Sequence, residues 1–453
     1  MSTLRAGFVG FGEVNSPREL IEQKVAEAAK RLTDAGVELI TTPAVSDDPD
    51  GVDVKRAIAD LEKGKFPVLV LCLAGWIPTH AVMSIIREYS HLPMVLWGLT
   101  GYYNADGRLV TTADQAGTTA VRGVMDGMGL RFKYVYESID MPPKTDKVVS
   151  FIRAANAHEA LNHTKIGMMG YRDMNLYGTL YDGISLRGQL GVEIENFEML
   201  EMTQIIDTLT EEEIEATIGR IRREWKFVKE PQPETLRTGA EWYLALKKKI
   251  ENRGYKGISL IDVDGMKKLA KFPPSMVFML LANDLDVTTV PENDAYGAVT
   301  QQIIQNLTGQ IGAYLEFYEF MSDRVLIGVP DYVPAQVTDG PVTVDPNAFG
   351  DFSEGLLNVS KVKTGRAVLS RLTHKNGKYY MHILPGEAVT PPAWEEAGWA
   401  PPAPQLPSVA FKFDNVSVEE FADKVIAQHY ILTYGDQTEL LLDYCRIAGI
   451  EMW

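Results

Sequence analysis

The chain has 453 residues, of which 45% are hydrophobic and 23% are charged, a composition that excludes extensive disorder. Its formal net charge of −17 argues against nucleic acid or an anionic membrane as a partner. The two cysteines, Cys72 and Cys445, are too few for a disulfide framework and indicate a reducing compartment. There is no signal-peptide pattern, and the longest apolar run, 67–78, is too short to span a bilayer. We therefore expect a cytoplasmic protein of two or three domains.

Short apolar strands alternate with amphipathic helices in the first part of the chain. The predicted strands occupy residues 6–11, 37–41, 66–73 and 93–97. This rhythm is typical of a parallel sheet with helices on both faces. Three nearby glycines, Gly7, Gly10 and Gly12, have the spacing G-x-x-G-x-G instead of the dinucleotide pattern G-x-G-x-x-G. A tight strand-to-helix turn explains them better than a nicotinamide cofactor.

Two loops at predicted strand ends carry side chains that suit a sugar site. Trp76 follows the buried strand 66–73, and Gln115 lies in the polar run 111–117. Trp76 is either an ordinary packing residue or a platform for a sugar ring. Gln115 either caps a helix or binds a hydroxyl group.

A second alternation of strands and helices begins near residue 162, and after Phe320 the pattern becomes antiparallel, with a hairpin turn at Asn376-Gly377. The segment 387–407, rich in Pro and Ala, is interpreted as a long ordered loop that holds Trp394 and Trp399. The predicted fold class is α/β: two doubly wound parallel-sheet domains followed by a C-terminal antiparallel β-barrel-like domain. The predicted domains are 1–161 (N-terminal α/β), 162–310 (central α/β) and 311–453 (barrel with a closing helix).

The stretch 288–320 delivers two carboxylates from opposite ends of one helix. A strand over 285–290 is followed at once by Glu292, where α/β sheets place their ligands, and then by an apolar helix that ends at Gly309. The next strand, 313–320, carries Glu316. The structural alternative is that Glu292 caps the N-terminus of the helix and Glu316 is solvated. The functional interpretation is that both carboxylates hold a hard cation and move protons.

The histidines offer one further candidate ligand. His374 and His382 flank the predicted hairpin turn and are expected to face solvent. His429 lies in a short predicted loop between a helix and the apolar pair Ile431-Leu432, where it is either a core residue or a ligand. The sequence has no zinc-type spacing. Two carboxylates and one imidazole would suit Mn²⁺, Mg²⁺ or another divalent cation.

Several segments are similar to one known family. They are D-V-D-G at 262–265, K-F-P-P at 271–274, E-N-D-A-Y-G at 292–297, Y-L-E-F-Y at 314–318 and A-Q-H-Y at 427–430. Together they resemble the L-fucose isomerase and L-arabinose isomerase superfamily of metal-dependent aldose–ketose isomerases, and the chain is identified as a fucose-isomerase-like member.

The resemblance implies roles for the residues singled out above. Glu292 and Glu316 would be the acid–base pair and metal ligands, and His429 the third ligand of Mn²⁺ or another divalent cation. Trp76, Gln115 and Met174 would contact the substrate. The resemblance also implies a homotrimer or homohexamer whose active site is shared between subunits.

Two departures from the family pattern bear on the ligand set. Arabinose isomerases carry a further histidine where this chain has Gly328-Val329-Pro330. The paired C-terminal histidines are replaced by Gln428-His429, which brings the set closer to that of fucose isomerases.

The resulting prediction is a metal-dependent intramolecular oxidoreductase that interconverts an aldose and its 2-ketose through an enediol. Its substrate would be L-fucose or D-arabinose, L-arabinose, or a C6-modified hexose such as sulfoquinovose. The main alternative is a non-catalytic, two-lobed sugar-binding protein, which has no need for a metal and two acids. A nicotinamide oxidoreductase is a third hypothesis.

Overall fold

The computed structural model describes residues 3–329, 333–348, 352–391 and 408–453. Its helices are α1 (Arg18–Asp34), α2 (Val52–Leu61), α3 (Thr79–Tyr89), α4 (Asp114–Gly127), α5 (Thr145–Asn162), α6 (Gly183–Leu190), α7 (Met199–Ile206), α8 (Glu211–Glu224), α9 (Pro233–Arg253), α10 (Ser275–Leu285), α11 (Ala295–Thr308), α12 (Val418–Lys424) and α13 (Thr438–Ala448).

The strands are β1 (Leu4–Phe11), β2 (Val37–Thr41), β3 (Leu69–Leu73), β4 (Met94–Gly98), β5 (Tyr102–Tyr103), β6 (Leu109–Val110), β7 (Phe132–Tyr136), β8 (Lys165–Met169), β9 (Glu193–Phe197), β10 (Lys226–Phe227), β11 (Gly257–Leu260), β12 (Thr288–Val290), β13 (Ala313–Phe320), β14 (Val325–Gly328), β15 (Thr338–Asp339), β16 (Thr343–Ala348), β17 (Glu354–Asn358), β18 (Lys361–Val362), β19 (Gly365–Lys375), β20 (Lys378–Val389), β21 (Ser408–Phe413), β22 (His429–Tyr434) and β23 (Glu451–Met452).

The chain forms two compact units, of which the first comprises residues 1–159 and 439–449. Its framework is a parallel sheet with strand order β2-β1-β3-β4-β7. Every residue of β3 is buried, as expected for a central strand covered by helices on both faces.

The glycines near the N-terminus serve close packing in this unit. A Cβ atom on Gly10 would lie 2.3 Å from a Val25 methyl group of α1, and one on Gly12 would lie 2.6 Å from Ile21. Their lack of a side chain therefore lets α1 lie close to β1 and to the residue that follows it, a role in packing that the sequence interpretation, a tight strand-to-helix turn, did not include.

The second unit comprises residues 160–438 and 450–453 and contains two principal sheets. One is parallel, with strand order β9-β8-β11-β12. The other is antiparallel in the order β19-β22-β13-β14-β21-β20, and β20 pairs again with β19, so that six strands close into a barrel. The predicted fold class is confirmed, whereas the domain boundaries at 161 and 310 stay predictions.

Short sequence motifs correctly predicted a hairpin turn and two helix starts. Asn376 and Gly377 have φ of 53° and 77° and join β19 to β20, which confirms the hairpin. The pairs Thr210/Glu213 and Ser417/Glu420 have the spacing that predicts a capping box at a helix start, and both boxes are present at the starts of α8 and α12.

Three local predictions were wrong. Leu285 ends the buried helix α10, so the strand predicted over 285–290 is limited to Thr288–Val290. His429 is the first residue of the barrel strand β22 and does not lie in a loop. His382, expected at the surface, is 4% exposed because it lies on β20 with its Nδ1 2.9 Å from the Tyr430 hydroxyl.

Only residues 387–391 of the predicted loop 387–407 are described, and of these 387–389 belong to β20. Trp394 and Trp399 of that loop lie outside the described residues, as does Pro330. Within the described part of the chain, none of the helices combines the length and hydrophobicity needed to cross a bilayer.

Candidate active site

Three loops meet at the carboxyl edge of the parallel sheet in the second unit. β8 leads to Asp173 and Met174, β11 to Asp262, and β12 to Glu292. β8 and β11 are neighbours although β9 lies between them in sequence, so the strand order reverses here. Ligands of doubly wound sheets bind at such a reversal.

The backbone of Glu292 is held in an unusual conformation. Its φ is 62° and that of Asn293 is 54°, values that residues other than glycine rarely adopt. The Glu292 N–H donates to Asp262 Oδ1 at 2.7 Å, and Asn293 Nδ2 donates to the Met169 carbonyl at 3.0 Å. The ends of β8, β11 and β12 are thereby tied together around Glu292.

Asp262 is completely buried in this network. Its Oδ2 accepts from Lys267 Nζ at 3.2 Å. Burial raises the pKa of Asp262 to about 6, although the Lys267 charge opposes the rise and the nearby Asp173 adds to it. Asp173 in turn accepts the backbone N–H groups of Val263 and Asp264 at 2.8 and 2.7 Å, which fixes the turn after β11.

Strand pairing in the barrel brings the other two predicted ligands together. Glu316 of β13 lies directly opposite His429 of β22 in the antiparallel register, so their side chains share one face. His429 Nε2 lies 3.7 Å from Glu316 Oε2, and His429 Nδ1 lies 3.8 Å from Glu292 Oε2. The structure therefore gathers Glu292, Glu316 and His429 at one place, with the imidazole between the carboxylates.

The imidazole of His429 is kept neutral. It is 4% exposed, and burial lowers its pKa to about 3 even though Asp294 acts in the opposite direction. Its ring stacks on Tyr314, with centroids 4.3 Å apart and an interplanar angle of 15°. A neutral imidazole is the form that binds metal ions.

A buried ion pair supports this stack. The Tyr314 hydroxyl donates to Asp294 Oδ2 at 2.8 Å, and both terminal nitrogens of Arg371 donate to the Asp294 carboxylate, one of them at 2.9 Å. Asp294 also accepts the Gly297 N–H and caps α11, so the expectation that Glu292 might be the capping acid was wrong. Burial alone would raise the pKa of Asp294, but the Arg371 charge holds it below its ordinary value.

Gln428 contacts the second carboxylate. Its Nε2 donates to Glu316 Oε2 at 2.7 Å. Gln428 therefore faces the candidate site as a neutral donor.

The chemistry of these donors fits a divalent cation. Two carboxylates and a neutral imidazole are hard-to-borderline ligands of the kind that divalent cations prefer. Among the described residues, however, no three His, Cys, Asp or Glu side chains lie in an arrangement that could hold a metal ion. Here the two imidazole nitrogens face different carboxylates, whereas one ion would use only one of those nitrogens.

The predicted substrate contacts fall in both units. Met174 lies in the second unit, in a short turn with φ of 47° beside Asp173. Trp76 and Gln115 belong to the first unit. Trp76 is 38% exposed, whereas Gln115 Nε2 donates to the carbonyls of Leu99 and Glu137 at 2.8 and 3.2 Å. All three substrate-binding roles stay predictions.

Asp294, Tyr314 and Arg371 escaped the sequence reasoning. One signal was available, because Asn-Asp directly before the apolar helix is a capping pattern. Arg371 lies in a strand with several other polar residues, so its sequence position did not mark it.

Comparison with known proteins gives distant matches over most of the chain. Over 391 residues it is 22% identical to the sulfoquinovose isomerases of Priestia aryabhattai and Priestia megaterium, a match that covers 82% of this chain and 81% of each relative. It is 21% identical over 321 residues to the L-arabinose isomerase of Shouchella clausii, covering 67% of this chain and 63% of that protein. No family model matches the sequence.

A solved structure of an ABC-transporter periplasmic solute-binding protein from Actinobacillus succinogenes 130z with bound D-allose is 11% identical. It covers 73% of this chain and 95% of that one, but its TM-score of 0.16 carries no argument. The curated relatives support the aldose–ketose isomerase class for this chain, and thus an enzyme, without assigning it to the fucose-isomerase-like branch.

Proposed function

We propose that this chain interconverts an aldose and its 2-ketose with the help of a divalent cation, with Glu292 and Glu316 as the acid–base pair. One observation carries the proposal: His429 lies between the two carboxylates, 3.8 Å from Glu292 Oε2 and 3.7 Å from Glu316 Oε2. Glu292 follows β12, Glu316 lies within β13 and His429 begins β22. A packing role alone would not require this combination of acids around a neutral imidazole.

The reaction needs a proton to leave the carbon next to a carbonyl and return to the neighbouring carbon. In the proposed mechanism one glutamate takes the proton from C2 of the open-chain aldose and later delivers it to C1, while the other transfers the proton between the O1 and O2 oxygens through the enediol. Two carboxylates on opposite sides of His429 suit this division of labour, and either glutamate can take either role.

Glu292, Glu316 and His429 would hold the cation, for which Mn²⁺ is our first choice. When bound, such an ion supplies Lewis-acid stabilisation of the negative charge that develops on the sugar oxygens. The burial of His429 keeps a neutral imidazole available for it at physiological pH.

The names of the relatives support two substrates above others, sulfoquinovose and L-arabinose, and L-fucose and D-arabinose remain in the proposed range. Trp76, Gln115 and Met174 are proposed to contact the sugar. We further propose a cytoplasmic homotrimer or homohexamer with a shared active site.

A screen of these aldoses for ketose formation, with Mn²⁺ and with a chelator, tests the proposal. We expect one aldose to be converted in the presence of Mn²⁺ and the conversion to stop with the chelator. Sugar binding without conversion, together with no thermal response to Mn²⁺, would instead support the non-catalytic binding protein.

A further inference from the structure

Glu292 occupies a backbone conformation that its own side chain does not favour. Both Glu292 and Asn293 have positive φ, and neither has the freedom of glycine. Such consecutive residues persist only where the surrounding structure holds them, and they cluster at active sites. The question is which group holds Glu292.

The direct contact is with Asp262. Its Oδ1 accepts the Glu292 N–H at 2.7 Å, a charge-assisted hydrogen bond inside the protein. The bond acts on the backbone of the residue whose carboxylate reaches His429. A shift of the Glu292 backbone would therefore move its carboxylate relative to the imidazole.

Asp262 is itself held in place by its neighbours. It is 0% exposed, and its second oxygen is engaged by Lys267. It begins the π-helical turn Asp262–Lys267, whose backbone N–H groups at Val263 and Asp264 are held by Asp173. The carboxylate thus belongs to a rigid support behind Glu292.

We propose that Asp262 is a positioning residue that sets the conformation of Glu292 through its backbone N–H. This inference rests on the proposed function, because it assigns Asp262 a role in the same reaction. Asp262 touches no substrate and moves no proton; its contribution is the acceptor oxygen that keeps Glu292 facing His429.

The test compares Asp262→Ala, which removes the acceptor, with Asp262→Asn, which keeps an oxygen of the same reach. Asp264→Asn is the matched control, because Asp264 lies in the same turn but pairs with Lys268 at the surface. Each variant is assayed for kcat and KM on the aldose found in the screen, and for Mn²⁺ affinity by calorimetry without sugar. Thermal unfolding identifies the temperature range in which every variant is folded.

For Asp262→Ala we expect kcat to fall about 100-fold, the cost of a misplacement near 1 Å, with KM changed by less than about threefold. We expect Mn²⁺ affinity to fall about tenfold, as for the loss of a residue that orients a ligand. Asp262→Asn should recover most of both losses, and Asp264→Asn should match the wild type. If Asp262→Ala does not unfold cooperatively, Asp262→Ser takes its place with the same expectation.

Two results would overturn the inference. One is a folded Asp262→Ala or Asp262→Ser protein with wild-type kcat and Mn²⁺ affinity, which would leave Asp262 a purely structural role. The other is an Asp262→Asn protein as impaired as Asp262→Ala, which would mean that the charge or proton of Asp262 matters and not its acceptor oxygen. Glu292→Gln, measured alongside, distinguishes failure of this inference from failure of the proposed function. An active Glu292→Gln protein contradicts the proposed function itself.

Discussion

The two parallel sheets have related strand orders but different chemistry at their carboxyl edges. Both place their second strand outside the first and reverse direction before the third. In the first unit the buried acids have cationic partners: Asp114 pairs with Lys24, and Glu137 lies 3.3 Å from Arg31 and accepts from Trp97 Nε1 at 2.9 Å. In the second unit two buried acids are likewise paired, Asp262 with Lys267 and Asp294 with Arg371. There, in addition, Glu292 and Glu316 both approach His429, whose pKa burial lowers to about 3.

The comparison shows that topology alone does not make an active site. A doubly wound sheet brings acids to its carboxyl edge in either unit, but a lysine or arginine partner turns an acid into a structural tie. Two carboxylates beside one imidazole, in contrast, can serve an added cation or proton transfer. Within the second unit the barrel strands β13 and β22 bring Glu316 and His429 to Glu292.

The largest expected effect distinguishes the two edges directly. Glu292→Gln should lower turnover by at least about 10³-fold, within the range of lost acid–base catalysis, because an amide cannot exchange the substrate proton. The matched change in the first unit, Glu137→Gln, should leave kcat within about threefold and affect mainly stability. Both are measured as ketose formation with Mn²⁺. Equal losses of turnover in Glu292→Gln and Glu137→Gln would contradict the proposed difference between the two edges.

The buried ion pair behind His429 should give the next largest effect, this time on stability. Arg371→Met leaves Asp294 buried without its cation, which should lower the free energy of unfolding of the second unit by about 3–5 kcal/mol. Lys24→Met in the first unit should cost less, about 1–2 kcal/mol, since Lys24 donates to Asp114 from one nitrogen, whereas Arg371 donates to Asp294 from two. Calorimetric unfolding of both variants checks the ranking, and a reversed order would contradict it.

Mn²⁺ affinity provides a further comparison between the two units. His429→Ala removes one of three proposed ligands, and we expect Mn²⁺ affinity to fall about 100-fold while the protein stays folded, a change of roughly 2.7 kcal/mol. His91→Ala, at an exposed position of the first unit, is the control and should bind Mn²⁺ like the wild type. Unchanged affinity after loss of His429 would remove this histidine from the ligand set.

The sequence predicted those parts of the fold that depend on local chemistry. A continuous apolar run predicted β3 and alternation predicted β13. Asn376-Gly377 predicted the hairpin and Thr210 a helix start, because each of these signals acts within a few residues. The strand at His429 was missed because its partners, β13 and β19, are distant in sequence and its apolar run is short.

The sequence identified the three candidate site residues but not the residues that support them. Glu292 directly follows a recognisable strand, Glu316 lies within the next one, and His429 was suggested by resemblance to a family. The roles of Asp262 and Arg371 depend on which strands lie side by side, and no spacing in the sequence encodes a hydrogen bond between residues 262 and 292 or an ion pair between 371 and 294. Such contacts become visible only when register and topology are known.

The smallest expected effect concerns the first unit's own part in catalysis. If the shared-site prediction is right, Trp76→Ala should raise KM about 3–10-fold and leave kcat unchanged, because an aromatic contact contributes about 0.5–1.5 kcal/mol to binding. Tyr103→Ala, which removes another exposed aromatic side chain of that unit, should leave KM as it is. Steady-state kinetics of both variants in the assembled protein decides the matter. An unchanged KM for Trp76→Ala would confine the chemistry to the second unit, whereas a raised KM would mean that the first edge, although its acids are paired, still supplies the sugar with a binding surface.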